Sequence, residues 1–240
     1  MKPIRVTSEK EFERLRDRID LETSDAADHF YLLKGLDESS EDYCLEMNES
    51  STFWHLTFIA HRDAVLSRLC LLYDQYDGAL SLGRFLLTVK ANRALFSDAA
   101  CRERLIGNPH VDALVHDRAI DDSELDREVA SVSDADPLVA KLSRLRNKVI
   151  SHTDADTVRR GTPRFWLPVQ DIETLLSRAR SITSKYSLLY RASTYGRMVG
   201  TDDYKATLRW LRKALSSHRA QIDKEVEQMG IGERWKRKPE

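Results

Sequence analysis

Apolar residues along this chain recur every three or four positions, and nowhere does a strand-like alternation persist. Phe12, Leu15 and Ile19 mark one face of a first helix, opened by Ser8 with Glu11 three places on, the pairing of a capping box. The polar stretch DESSEDY then reads as a loop or the frayed start of another helix. From Ser51 to about Gln75 the residues Phe53, Leu56, Ile59, Leu66, Leu69 and Leu72 keep helical spacing, and Phe58, Val65 and Tyr73 widen the stripe. That breadth predicts a central helix. A turn at Asp77-Gly78 precedes a short helix in ALSLGRFLLTVKAN, Ser97 caps another, and GNPH is a turn with Pro109 suited to a first helical position. SDADPLVAKLSRLRNKVISH starts behind a Ser/Asp cap and Pro137 and carries Leu138, Leu142, Leu145 and Val149 on one face. After the irregular RRGTPRFWLP, two long amphipathic helices cover 169–193 and 202–229, and a basic tail, 231–240, ends the chain. The expected architecture is all-α: a helical bundle in a single domain spanning 1–240.

Composition narrows the class. With 240 residues, 41% hydrophobic and 32% charged, the chain has enough apolar surface for a substantial core. A net charge of −1 gives no overall attraction to nucleic acid or anionic membrane, so binding to either would need a local patch. Cys44, Cys70 and Cys101 are odd in number and far apart, which points to a reducing compartment and to buried structural thiols. The charged N-terminus has no signal core and no apolar run spans a bilayer, so a cytoplasmic location without membrane contact is expected.

Familiar catalytic motifs fail on inspection. HRDAVLSRL has the HRD of a kinase catalytic loop, but Arg68 stands where the metal-binding asparagine belongs, and no glycine-rich loop exists. His55 and His61, six apart, fall on different helix faces. HExxH, EF-hand, P-loop and GxSxG patterns are all missing, so any enzyme here is expected to use neither metal nor organic cofactor.

One segment has concentrated chemistry. RLRNKVISHTDAD brings Arg146, Asn147 and His152 to the end of an apolar-periodic stretch, with Lys141, Arg144, Lys148, Arg159 and Arg160 nearby against Asp154 and Asp156. This is a local excess of positive charge in a nearly neutral chain, although basic helix ends are common for dipole reasons alone. Arg146-Asn147, four residues and then His152 resembles the R-(four to six)-H signature of the HEPN superfamily, in which a polar residue follows the arginine. The continuation RNKVISHTD is similar to the abortive-infection AbiU-type branch. STFWHLTFIAHRDAVLSRLCLLYDQ, followed by ALSLGRFL, resembles that branch's long helix and the one after it. The resemblance covers roughly 50–195.

The resemblance implies a HEPN-like bundle that dimerises through the motif-bearing helix. It also implies a metal-independent endoribonuclease of phage defence or a toxin. Carried over residue by residue, His152 is general acid/base, Arg146 the phosphate clamp and Asn147 an orienting group. Arg144, Lys148, Arg159 and Arg160 are expected to contact RNA. A protein inhibitor or antitoxin is a partner compatible with that role. Asp154 stands where some HEPN toxins have a tyrosine modified by a nucleotidyltransferase, so no such partner is expected.

The chemistry is sound. RNA supplies its own nucleophile, the 2′-OH, and needs a base, an acid and a cation for the charge building on phosphorus. Histidine can be base or acid near neutral pH, and arginine grips phosphate with a planar fork. Residues six apart on a helix differ by about 120° around the axis and about 9 Å along it. Arg146 and His152 therefore meet only if the helix ends near Ser151, or if two copies pool their residues across a two-fold axis; the dimer is the expectation adopted here. The alternative is a non-catalytic HEPN-like module for dimerisation, partner or RNA binding. Lys205, Arg209, Arg212, Lys213 and Arg219, with Tyr204 and Trp210, read as a solvated amphipathic face rather than an extended RNA surface. Tyr43, Trp54, Phe165 and Trp166 receive no role.

Overall fold

Helix starts are where short polar side chains can satisfy free backbone N–H groups. The computed structural model, which describes residues 1–115, 119–146, 167–193 and 202–229, places its helices accordingly. They are α1 (Glu9–Ser39), α2 (Cys44–Asn48), α3 (Ser51–Leu72), α4 (Leu82–Ala91), α5 (Asp98–Arg104), α6 (Val111–Leu114), α7 (Asp122–Ser131), α8 (Pro137–Leu145), α9 (Val169–Arg191) and α10 (Asp203–Gln228), with a 3₁₀ turn over Arg93–Phe96. Among the described residues there is no strand, and the fold is all-α. Asp121, Asp136 and Ser97 accept N–H bonds at the starts of α7, α8 and α5. At α1 the expected box is displaced by one residue: Ser8 accepts from the Glu11 N–H at 3.3 Å, but the Glu11 carboxylate reaches back to Thr7 rather than Ser8. Those Thr7 hydrogen bonds hold the Glu11 carboxyl below its ordinary range. DESSEDY is divided: its first residues extend α1 to Ser39, and the rest forms the turn before α2.

The chain forms two compact units, one of Met1–His29 with Arg62–Met198, the other of Phe30–His61 with Val199–Glu240; the division falls inside α1 and α3. The first unit is built around five rings. Phe12 of α1 meets Phe85 of α4, Phe96 of the 3₁₀ turn and Tyr190 of α9 at centroid distances of 6.0, 5.5 and 5.3 Å, and Phe96 also contacts Tyr186. Edge-to-face and tilted pairs of this kind add to the burial energy of the rings. Arg104 of α5 lies 3.9 Å from the Tyr190 ring centroid and donates to the Tyr190 carbonyl at 2.9 Å, near the C-terminus of α9 where carbonyls lack helical partners. It also binds Glu9 of α1 at 2.6 Å.

In the second unit Leu36, Met47 and Leu208 form a small core, flanked by Leu32, Tyr43, Trp54, Phe58 and Tyr204. The Tyr204 ring occupies the space that a Cβ on Gly35 would need, so any larger residue at 35 would have to displace that ring. The N-terminal half of α3 lies in this unit, and it departs from the sequence expectation. Trp54 and Phe58 pack on the core, which leaves Phe53 and Leu56 more than half exposed. Only from Val65 onward does the stripe become buried: Val65, Leu66, Leu69, Cys70 and Leu72. Cys70 and Cys101 are buried as expected, while Cys44 is exposed, because α2 is a single short helix that buries only Glu46 and Met47. Among the described residues no helix is long and apolar enough to cross a membrane.

Polar residues on α1 also take core positions. Arg16, Asp20 and Thr23 are buried at helical spacing, and Asp20 accepts a hydrogen bond from the Ser187 hydroxyl of α9 at 2.6 Å. Burial pushes the Asp20 carboxyl from its ordinary 3.8 up to about 6, against the opposing pull of the Ser187 bond, Arg16 and Arg191. The native state therefore favours protonated Asp20. Its contribution to stability is complete below 3.8 and is lost as pH rises through about 6. Asp20→Asn should remove this penalty, raising stability by up to about 3 kcal/mol at neutral pH and changing it little near pH 4. Urea unfolding of both proteins at the two pH values checks this.

Candidate functional site

The position of the signature arginine follows from α8. Asp136 caps the helix by accepting from the N–H groups of Leu138 and Val139 at 2.9 and 3.1 Å, and Pro137 supplies a preset φ at its start. Val139, Leu142 and Leu145 are buried, while Leu138 is only half-buried. This seating buries one face of the last turn and leaves Arg144 exposed on the other. Two ion pairs fix α8 against α9: Lys141 with Asp171 at 2.6 Å, and Arg178 with Asp136 at 3.1 Å. Arg178 further donates to the Ser131 carbonyl at the end of α7.

Arg146 directly follows α8 with helical backbone angles, and its N–H still bonds to the Leu142 carbonyl. Its side chain is about one-third exposed and makes a 2.7 Å ion pair with Asp74, just past the end of α3. The same Asp74 oxygen accepts from the Tyr76 N–H at 3.0 Å, so the turn that follows α3 fixes the carboxylate, which in turn holds the guanidinium. Cys70 sits one helical turn before Asp74, and its thiol is pushed up to about 12 by burial, against the opposing field of Arg146. It is not a nucleophile at neutral pH.

Of the signature and the basic cluster, Arg144 and Arg146 are described. Asn147, Lys148, His152, Arg159 and Arg160 lie outside the described residues. The described part is less positive than the sequence implies. Lys141 is neutralised by Asp171 and Arg146 by Asp74, whereas Arg144 is exposed at the helix end. Neither carboxylate stands out in the sequence: Asp74 is 72 positions before its arginine and Asp171 is 30 after its lysine, and no periodicity links them.

A separate cleft of about 640 Å³ opens between α7 and α9, where Glu128, Glu173, Thr174 and Arg178 are among its walls; Arg146 does not line it. Glu128 is already engaged there by Tyr186 at 2.5 Å and Lys185 at 2.9 Å. Among the described residues no three His, Cys, Asp or Glu side chains gather into a group able to hold a metal ion.

Comparison with known proteins adds one match. The model of the family HEPN_AbiU2, described as AbiU2, matches residues 9–210. No curated protein and no solved structure matches the chain. The match includes α1 and the first two turns of α10, beyond the segments whose likeness is visible in the sequence, and it spans every helix between them. An all-helical fold with Arg146 at the end of a half-buried helix, together with a match over most of the chain, leads to one conclusion: the chain belongs to the AbiU2 family of HEPN-type proteins.

Proposed function

We propose that the protein is a metal-independent endoribonuclease acting in phage defence or as a toxin, and that Arg146, Asn147 and His152 form its site. The observation that carries this reading is Arg146 itself. In a chain of this family, the signature arginine is held by Asp74 and remains partly open to solvent. A guanidinium held by a carboxylate has its orientation set before substrate arrives, which is what a phosphate clamp requires.

The reaction this supports is attack of a ribose 2′-OH on the neighbouring phosphorus. A neutral imidazole of His152 takes the hydroxyl proton as the O2′–P bond forms. Arg146 stabilises the charge that grows on the phosphoryl oxygens, with Asn147 orienting the imidazole or donating to the same oxygens. The P–O5′ bond then breaks, and a protonated imidazole gives its proton to the leaving oxygen. The products are a 2′,3′-cyclic phosphate and a 5′-hydroxyl. In a two-fold dimer joined through the signature helices, the partner subunit's His152 supplies the second imidazole, so one sequence position provides both base and acid.

The same ion pair also supports a second reading. A guanidinium already paired with a carboxylate is what a non-catalytic module would use to fix a helix end at an interface. The product separates the two, because only catalysis yields a cyclic phosphate.

Incubated with total RNA in excess EDTA, the wild type should release cyclic-phosphate ends. Arg146→Ala and His152→Ala should each lose about two orders of magnitude or more in rate; equal cleavage by His152→Ala would remove the proposed site. Mixing the two inactive variants should not restore cleavage, because a mixed dimer retains a single His152 and lacks the second imidazole; full recovery would show that one histidine per dimer suffices and would remove the two-imidazole arrangement. Asp74→Asn should lower the single-turnover rate by up to about a hundredfold through loss of guanidinium alignment, with Asp74→Glu partly restoring it. A fall in melting temperature with an unchanged rate in Asp74→Asn would assign the pair a structural role only.

A further inference from the structure

Helix α10 divides its cations between two tasks. On the side facing its own unit, Arg212 binds Glu46 at 2.8 Å and lies 3.9 Å from the Tyr43 ring centroid, and Arg219 binds Glu49 at 2.7 Å. The Arg212 bond holds the Glu46 carboxyl below its ordinary range. These two arginines dock the helix on α2 and the turn after it. Lys205 is likewise engaged, with Asp202 at 3.4 Å.

The opposite side is different. Ala206, Arg209, Lys213, Ser217, Ala220 and Lys224 follow one another at three- and four-residue steps around the face turned away from Leu208, and no carboxylate interrupts them. Arg209 and Lys213 are exposed and have no ion-pair or hydrogen-bond partner among the described residues. Beside them, one residue after Arg209 and three before Lys213, stands Trp210, 72% exposed. A tryptophan left this open is uncommon in a folded chain, since its burial is worth more than that of almost any other side chain. Its neighbours one helical turn away include Ala206 and Ala214, too small to cover the indole.

We propose that this outer face of α10 is a binding surface for single-stranded RNA. A flat aromatic beside unpaired cations is the arrangement that grips single strands: the indole stacks on an unpaired base and the cations hold the flanking phosphates. Arg209 and Lys213 are one turn apart, about 6 Å along the axis, a span suited to neighbouring phosphates of an extended strand. Lys224 prolongs the track along the helix. The small side chains that leave the indole bare also leave room for a base against it. The choice of RNA rests on the endoribonuclease reading, whereas the gripping chemistry does not depend on whether Arg146 and His152 cut. The surface supplies affinity without strong sequence preference, because every base offers a face to stack.

The test is binding of a short fluorescein-labelled polyuridine RNA to the full-length protein carrying His152→Ala, read by anisotropy across a salt series, with cleavage by the otherwise unaltered chain measured separately. Adding Trp210→Ala should weaken binding about five- to a hundredfold, and Trp210→Phe should retain most of it. Adding Arg209→Gln with Lys213→Gln should reduce the slope of log affinity against log salt by about 1.4. Affinity for duplex RNA should not respond to Trp210→Ala, since its bases are already stacked. All three added positions are exposed, so circular dichroism and melting temperature should match the parent. Unchanged single-strand affinity in both the Trp210→Ala and the paired Gln variants would overturn the proposal, as would a change in sedimentation without a change in RNA binding, which would make the face a protein contact. Loss of RNA binding alongside absent cleavage by the unaltered chain upholds this surface and removes only the catalytic reading.

Discussion

Burial of one face of α9 is the constraint on which the first unit depends. Ile172, Leu175, Leu176, Ala179, Ile182, Tyr186 and Tyr190 turn inward along about five turns of helix, so several other elements of the unit must find a place against them. Each attachment adds a polar contact that specifies register. Tyr73, at the end of α3, donates to the Leu175 carbonyl at 2.7 Å, Asp20 of α1 accepts from Ser187, and Arg104 of α5 bonds the Tyr190 carbonyl. Apolar burial supplies the driving force but slides easily along a helix. Directed bonds from buried groups are costly to leave unmade, and so they select one alignment.

The site inherits its geometry from that arrangement. α8 reaches its place through Lys141–Asp171 and Asp136–Arg178, and α3 through the Tyr73 hydroxyl, so the two ends that meet at Arg146 and Asp74 are both referenced to α9. The Arg146–Asp74 pair joins positions whose helices are already fixed. It therefore orders the guanidinium more than it stabilises the fold, since a partly exposed ion pair contributes little free energy on its own. The same pairing tempers the charge of the region. Among the described residues of the basic run, Arg144 is exposed, and Lys141 and Arg146 are locally balanced.

In the second unit, paired and unpaired charges separate by helix face. Arg212 and Arg219 are drawn inward by Glu46 and Glu49, while Arg209 and Lys213 one step around the helix stay in solvent beside Trp210. Composition alone cannot make that distinction, because all four are ordinary basic residues of one amphipathic helix. A core of three fully buried apolar residues is too small to enclose everything offered to it, and Phe53, Leu56 and Trp210 remain outside.

Helical periodicity is a local property, and it determined the class of fold: the starts of α5 and α8, the long spans of α9 and α10 and the absence of strand patterning all follow from residues within a turn of one another. The resemblance at Arg146-Asn147 and His152 was equally legible, because a signature is a spacing along the chain. What periodicity could not determine was which apolar stripe would find a partner. Phe53 and Leu56 have the same spacing as Leu66 and Leu69, yet only the latter are buried, and Arg16 and Asp20 take core positions that a hydrophobic pattern assigns to Leu15. Nor could it find Asp74, whose partnership with Arg146 exists only after α3 and α8 have docked. Burial and ion pairing depend on atoms brought together from distant parts of the chain, and their energies are set by that tertiary environment rather than by the identities of sequence neighbours.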